Sequence, residues 1–118
     1  MIHTINFSKS QADGVVYEEI KETVRPKRKN PICVGDTLRL RTGMHHGSSR
    51  LLREVTCTGV EPIQIYDKAT IIVSGRELNA AEIQALARAN GHKTRDEFIT
   101  VLWFQYTFPF VGDVIKWE

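Results

Sequence analysis

The chain has 118 residues and a net charge of +2, with 42% apolar and 25% charged side chains. Those values fit a single globular domain spanning residues 1–118, large enough to bury a core without disulfide staples. They exclude a disordered polyelectrolyte, and no apolar run approaches the ~20 residues a membrane span requires. Residues 1–60 hold ten Lys/Arg against six Asp/Glu, whereas residues 61–118 hold six against eight. Such a split can build one basic face, which points toward nucleic acid. Cys33 and Cys57 lack the spacing of a zinc site and are too few for a disulfide framework, so both are expected as buried free thiols in the reducing cytoplasm. Met1–Ser10 carries neither a basic lead nor an apolar core, and no secretory signal is expected.

In chain order, His3–Phe7 reads as a short strand, and a helical turn follows near Ala12–Ile20, kept short by Gly14. The run Arg25-Pro26-Lys27-Arg28-Lys29-Asn30-Pro31 breaks regular structure, because each proline disfavours helix at the residue before it. Asp36–Arg41 alternates, with Leu38 and Leu40 on one side and Thr37, Arg39 and Arg41 on the other. Leu51–Tyr66 is a second β stretch, bent or split near Gly59 and Pro62, with Val55 and Cys57 on one face of its first half. Thr70–Val73 is a third strand, read as an unpaired edge.

Two helices follow. Asn79 and Glu82 form a capping box ahead of Ile83, Leu86 and Ala87, and Asn90-Gly91 supplies a left-handed stop. Thr94-Arg95-Asp96-Glu97 reads as a second capping box opening the next helix, whose buried face is expected at Phe98, Val101 and Leu102. Val111–Trp117 closes the chain as a strand. The order predicts an α+β fold, and pattern alone does not choose between a barrel and an open sheet.

Three stretches carry candidate chemistry. Thr23, Arg25 and Lys27 lie in a cationic segment suited to phosphate oxygens or a base edge, with Arg25 capable of bidentate contacts. Arg39, Arg41, Arg50 and Arg53 lie around the polar loop Thr42–Arg50 and would share one face if their strands pair as a hairpin. Both sets also suit a plain solvated surface. His45-His46 point apart in an extended loop with no further ligand at coordinating distance in sequence, so no metal site is expected. No fingerprint of a cofactor or of a nucleophilic hydrolase occurs, and no cofactor is expected. Trp103, Phe104, Tyr106, Phe108, Phe110 and Trp117 read mostly as core, with Tyr106 or Trp117 placed to stack on a base at the mouth of a barrel.

Taken together, Thr23-Val24-Arg25-Pro26, Val34-Gly35-Asp36-Thr37-Leu38-Arg39-Leu40, Thr42-Gly43-Met44, Gly75-Arg76-Glu77-Leu78 and Val114-Ile115-Lys116-Trp117 resemble the phage and bacterial branch of the ASCH family, from about Ile5 to Trp117. The resemblance implies a PUA-like, partly closed β-barrel with two or three flanking helices. It also implies a cleft beside the barrel that takes RNA or a nucleotide, lined by Thr23, Arg25, Lys27, Arg39, Arg41 and Tyr106.

One branch of the family removes the acyl group from N-acetylcytidine with a Lys, a Thr nucleophile and an acid, the Lys lying in a Gly-x-Lys-x-x-x-x-Arg motif. Arg25 and Thr23 match that machinery, whereas the motif's glycine falls on Glu18, its lysine on Ile20 and the acid on Asn90. An amidohydrolase reading therefore needs Thr23 as nucleophile with Lys21 as activator, and a binding reading does not. A third reading is a phage-encoded protein that binds a host protein. A cytoplasmic monomer without membrane contact is expected in each case.

Overall fold

The structure, a computed structural model, describes residues 1–43 and 49–118, so the expectations for His45 and His46 lie outside the described residues. Among the described residues the fold is α+β. Its elements are β1 (Ile2–Phe7), α1 (Lys9–Val16), β2 (Glu22–Pro26), β3 (Thr37–Thr42), β4 (Arg50–Ile65), β5 (Ile71–Val73), β6 (Arg76–Glu77), α2 (Ala80–Ala89), α3 (Arg95–Gln105) and β7 (Phe110–Trp117). The strands form one mixed sheet in the order β1-β3-β4-β5-β6, with β7 pairing both β4 and β2. β1 runs parallel to β3, and the other pairs are antiparallel. The sheet does not close, because β1 and β2 are not hydrogen-bonded to each other. None of the described helices is long and apolar enough to cross a membrane.

A register slip in β4 decides how the core is divided. Val55 and Cys57 pack with Ile5, Phe7, Leu38, Leu40, Ile115 and Trp117. The slip between Cys57 and Gly59 inserts one residue against β7. One extra residue turns every later side chain to the opposite face. Val60 then keeps to the first group, and Ile63 and Ile65 join a second core with Val24, Val114, Phe98 and Leu102 under α2 and α3. The break expected at Gly59 is thus a bulge, while Pro62 continues the strand just beyond the end of β5, where no ladder bond needs its missing N–H. β7 is buried on both faces, sending Val114 into one core and Ile115 and Trp117 into the other.

Several expectations are corrected. The first helix begins at Lys9 and ends at Val16, earlier than the expected Ala12–Ile20. Thr23–Pro26 belongs to a strand, tolerated because β2 is an edge that among the described residues pairs with β7 alone. Thr70–Val73 is not an unpaired edge, since β5 lies between β4 and β6. On α3, Ile99 is buried in place of Val101, and Trp103 and Phe104 are 61% and 83% exposed. Apolar residues surround this helix, so periodicity cannot choose its buried face. Thr94 caps α3 in one direction only, accepting from the Glu97 N–H at 3.1 Å, while the Glu97 carboxylate lies 3.5 Å from His92. Cys57 is buried as expected, and Cys33 is exposed.

Gly112 of β7 is where β2 comes closest. A Cβ there would overlap the Arg25 carbonyl oxygen and sit 2.8 Å from carbons of the Phe110 ring. Backbone and an aromatic in a packed core cannot give way cheaply. Gly112→Ala is therefore expected to lower stability by about 2–3 kcal/mol, read as a shift of the urea midpoint at constant slope. An unchanged midpoint would show that β2 does not pack this closely on β7.

Candidate functional site

Among the described residues β1 pairs only with β3, and β2 only with β7, so an open seam runs between them. Side chains bridge this seam where backbone does not: Arg28 Nη2 donates to the Thr4 carbonyl at 3.1 Å. Along the seam lies a cleft of about 930 Å³ lined from β1 by Asn6 and from β2 by Thr23 and Arg25. The start of α1, the α2–α3 turn and the α3 face ending at Tyr106 complete the wall. A volume of this order suits a nucleotide-sized ligand.

Alternation along β2 sets what faces the cleft. Val24 turns into the core under α2, and Thr23 and Arg25 turn the other way, in register with Ile115 and Asp113 of β7. Thr23 is 6% exposed, and its Oγ1 accepts from Arg25 Nε at 2.9 Å. The Arg25 guanidinium lies 4.9 Å from the centroid of Phe7, a cation–π contact. Beyond these, the Arg25 side chain has no hydrogen bond and no ion pair among the described residues. Asp113, the carboxylate that register sets opposite it, is held by Lys27 Nζ at 2.6 Å. Burial pulls the Arg25 guanidinium below its ordinary range; Tyr106 opposes this and Arg28 adds to it. An arginine stays protonated regardless, so the direction expresses the cost of removing its charge from water. The amide of Asn6, on the facing strand, also keeps a buried oxygen without a partner.

Asn90 fastens the cleft's floor. Its Oδ1 accepts from the Val24 N–H at 2.9 Å, and its Nδ2 donates to Glu22 Oε2 at 3.1 Å and to the Leu86 carbonyl at 2.9 Å. Gln11 Nε2 donates to the Asn90 carbonyl at 3.1 Å, which ties α1 to the end of α2. Ile20 is 5% exposed, and a Cβ on Gly14 or Gly91 would come within 2.7 Å or 2.8 Å of its Cδ1. That side chain is thus a wedge in the core beneath the α1–β2 connection.

The structure gathers Thr23, Arg25 and Tyr106 around one cleft and leaves Lys21, Lys27, Arg39 and Arg41 off its wall. Lys21 is exposed, and its carbonyl accepts from the Trp117 N–H at 3.0 Å. Arg39 bonds Glu54 at 3.1 Å across β3 and β4, and Arg41 donates to Ser49 Oγ at 2.7 Å. The shared arginine face does not form: Arg53 and Arg50 lie opposite Leu40 and Thr42, on the other side from Arg39. Asn6, Gln11, His92 and Lys93 are cleft residues that the sequence did not single out. Asn6 stood in plain alternation with Ile5 and Phe7, but nothing local shows that β1 borders a cleft. Among the described residues no group of three or more His, Cys, Asp or Glu side chains is placed to hold a metal.

No family model, curated protein or solved structure matches the chain.

Asn90 removed, the Val24 N–H and the Leu86 carbonyl would lose their side-chain partner in a buried setting. Asn90→Ala is expected to cost about 1–3 kcal/mol by chemical denaturation. A loss under about 0.5 kcal/mol, the range of ordinary surface changes, would mean that Asn90 does not hold β2 against α2.

Proposed function

We propose that this chain is a nucleotide- or RNA-binding domain of the ASCH type, with the ligand seated in the seam cleft. The observation that carries the reading is Arg25: a half-buried guanidinium that, among the described residues, contacts a hydroxyl and a ring but no anion. Burying a cation without a counter-charge is costly, and a ligand phosphate or base edge would supply the missing partner. Asn6 would answer a donor on the same ligand, and Tyr106 offers a ring for stacking at the wall. Lys27 holds Asp113, the carboxylate that register sets opposite Arg25, and so keeps it from neutralising the guanidinium.

Backbone geometry supports the family reading. The motif's glycine falls on Glu18, whose φ is 64°, a conformation glycine adopts at least cost. On this reading the open seam between β1 and β2 is where a PUA-like barrel is only partly closed, and the cleft lies beside it. A cytoplasmic, monomeric setting goes with that assignment.

Binding is favoured over hydrolysis. Thr23 Oγ1 accepts from Arg25, which has no proton-accepting capacity, and Lys21 is off the cleft wall. Ile20 and Asn90, at the positions of the family's lysine and acid, fill packing and hydrogen-bonding roles instead. Recognition of a host protein is a second reading, supported by exposed Trp103 and Phe104 on α3. Polyanion binding weakens steeply with salt, whereas an apolar protein contact does not.

Labelled protein titrated with cytidine, N-acetylcytidine and a short RNA should show shifts at Asn6, Thr23, Arg25 and Tyr106, with the acetyl signal unchanged. Release of acetate would establish the amidohydrolase instead. Arg25→Met keeps an apolar stem over Phe7 and removes the unpaired charge. It should weaken RNA binding at least ~10-fold while leaving stability equal or higher. Undiminished binding, or unfolding caused by this variant, would assign Arg25 a structural role.

A further inference from the structure

A second pocket lies on the other side of the Asn90–Glu22 hydrogen bond, between α2 and the rim of the sheet. Its volume is about 600 Å³. It forms because α2 covers only part of the sheet face it packs on. Under the helix that face is apolar, with Val24, Ile63 and Val114. Further along the same strands the side chains become Glu22, Lys116 and Glu61, with Glu22 and Lys116 cross-strand partners. On the helix side Ala85 and Ala89 are too short to fill the space, which leaves Leu86, Leu78 and Val114 as an apolar floor.

Three carboxylates and two cations line the pocket. Arg76 takes Glu82 through two bonds of 2.9 and 2.7 Å. Lys116 Nζ lies 3.4 Å from Glu61. Among the described residues Glu22 has only the neutral Asn90 amide as a side-chain hydrogen-bond partner, so the three carboxylates and two cations of the wall leave one excess negative charge above an apolar floor. We propose that this pocket binds a small organic monocation, a primary aliphatic amine whose ammonium meets Glu22 and whose alkyl stem lies on Leu78, Leu86 and Val114. Charge balance and shape both select that class: an inorganic cation leaves the floor unused, and a neutral hydrocarbon leaves Glu22 unpaired. Burial raises the Glu22 carboxyl above its ordinary value despite Lys116 and Asn90, as expected where a carboxylate lacks a full counter-charge. The site is separate from the seam cleft, and its test does not depend on what the cleft binds.

The test uses the full chain, isotope-labelled, titrated with n-butylammonium chloride and, as controls, n-butanol and sodium chloride. Saturable shifts at Ser74, Leu78, Leu86 and Ala89 are expected with the amine alone. Glu22→Gln should weaken binding about 10-fold, the loss of one charge-assisted bond. Ala85→Leu fills the pocket from an exposed helical position that tolerates leucine, and it should abolish the shifts without unfolding the chain. Equal responses to butanol or sodium chloride, no saturable response to the amine, or undiminished binding by Glu22→Gln would each overturn the proposal.

Discussion

Arg25 is half-buried at a place where the sheet fails to close, and much of the surrounding structure follows from that arrangement. An edge strand leaves backbone groups and side chains open to whatever lies beside it. Here β1 and β2 face one another without pairing, and Arg28, Phe7 and Arg25 occupy the gap. Lys27 holds Asp113, so the guanidinium keeps its charge without an internal anion. A protein optimised only for stability would gain by replacing such a group with an apolar one. Its presence at this seam is what the proposed ligand site requires.

Rigidity for this site comes from elements at some distance in sequence. β2 has five residues and one strand partner, too little to hold two side chains in place by itself. Gly112 lets it lie close on β7, and Asn90 fixes the Val24 N–H to the end of α2. The bulge in β4 gives β7 two buried faces, so the strand that carries β2 is itself clamped by both cores. The same Asn90 side chain stands between the cleft and the pocket below α2, bonding Glu22 on the far side.

What could be read from the sequence was local. The Asn79–Glu82 capping box makes both of its bonds, at 2.9 and 3.0 Å, and Gly91 has the positive φ of a helix stop. The alternation of Leu38 and Leu40 against Arg39 gave the right face for β3, and Gly59 marked the bulge. Thr23, Arg25 and Tyr106 were chosen from one sequence and share one cleft. What escaped the sequence was long-range. The partners of Arg39 and Lys27 depend on strand register with β4 and β7, and the role of Asn90 depends on contact between residues 66 positions apart. No periodicity marks β2, whose two buried residues point opposite ways, Val24 into the core under α2 and Thr23 toward the cleft. The exposure of Trp103 and Phe104 depends on how α3 docks, which its evenly apolar surface does not encode.

The account turns on whether Arg25 meets an anion. The most direct measurement follows the side-chain guanidinium nitrogen resonances of labelled protein while cytidine 5′-monophosphate is added. Slowed rotation and exchange of the Arg25 Nη groups, with a matching shift of its Nε, is the predicted result. Saturation with Arg25 unchanged and only Arg39 or Arg41 moving would place the anion on the exposed strand face and contradict the account.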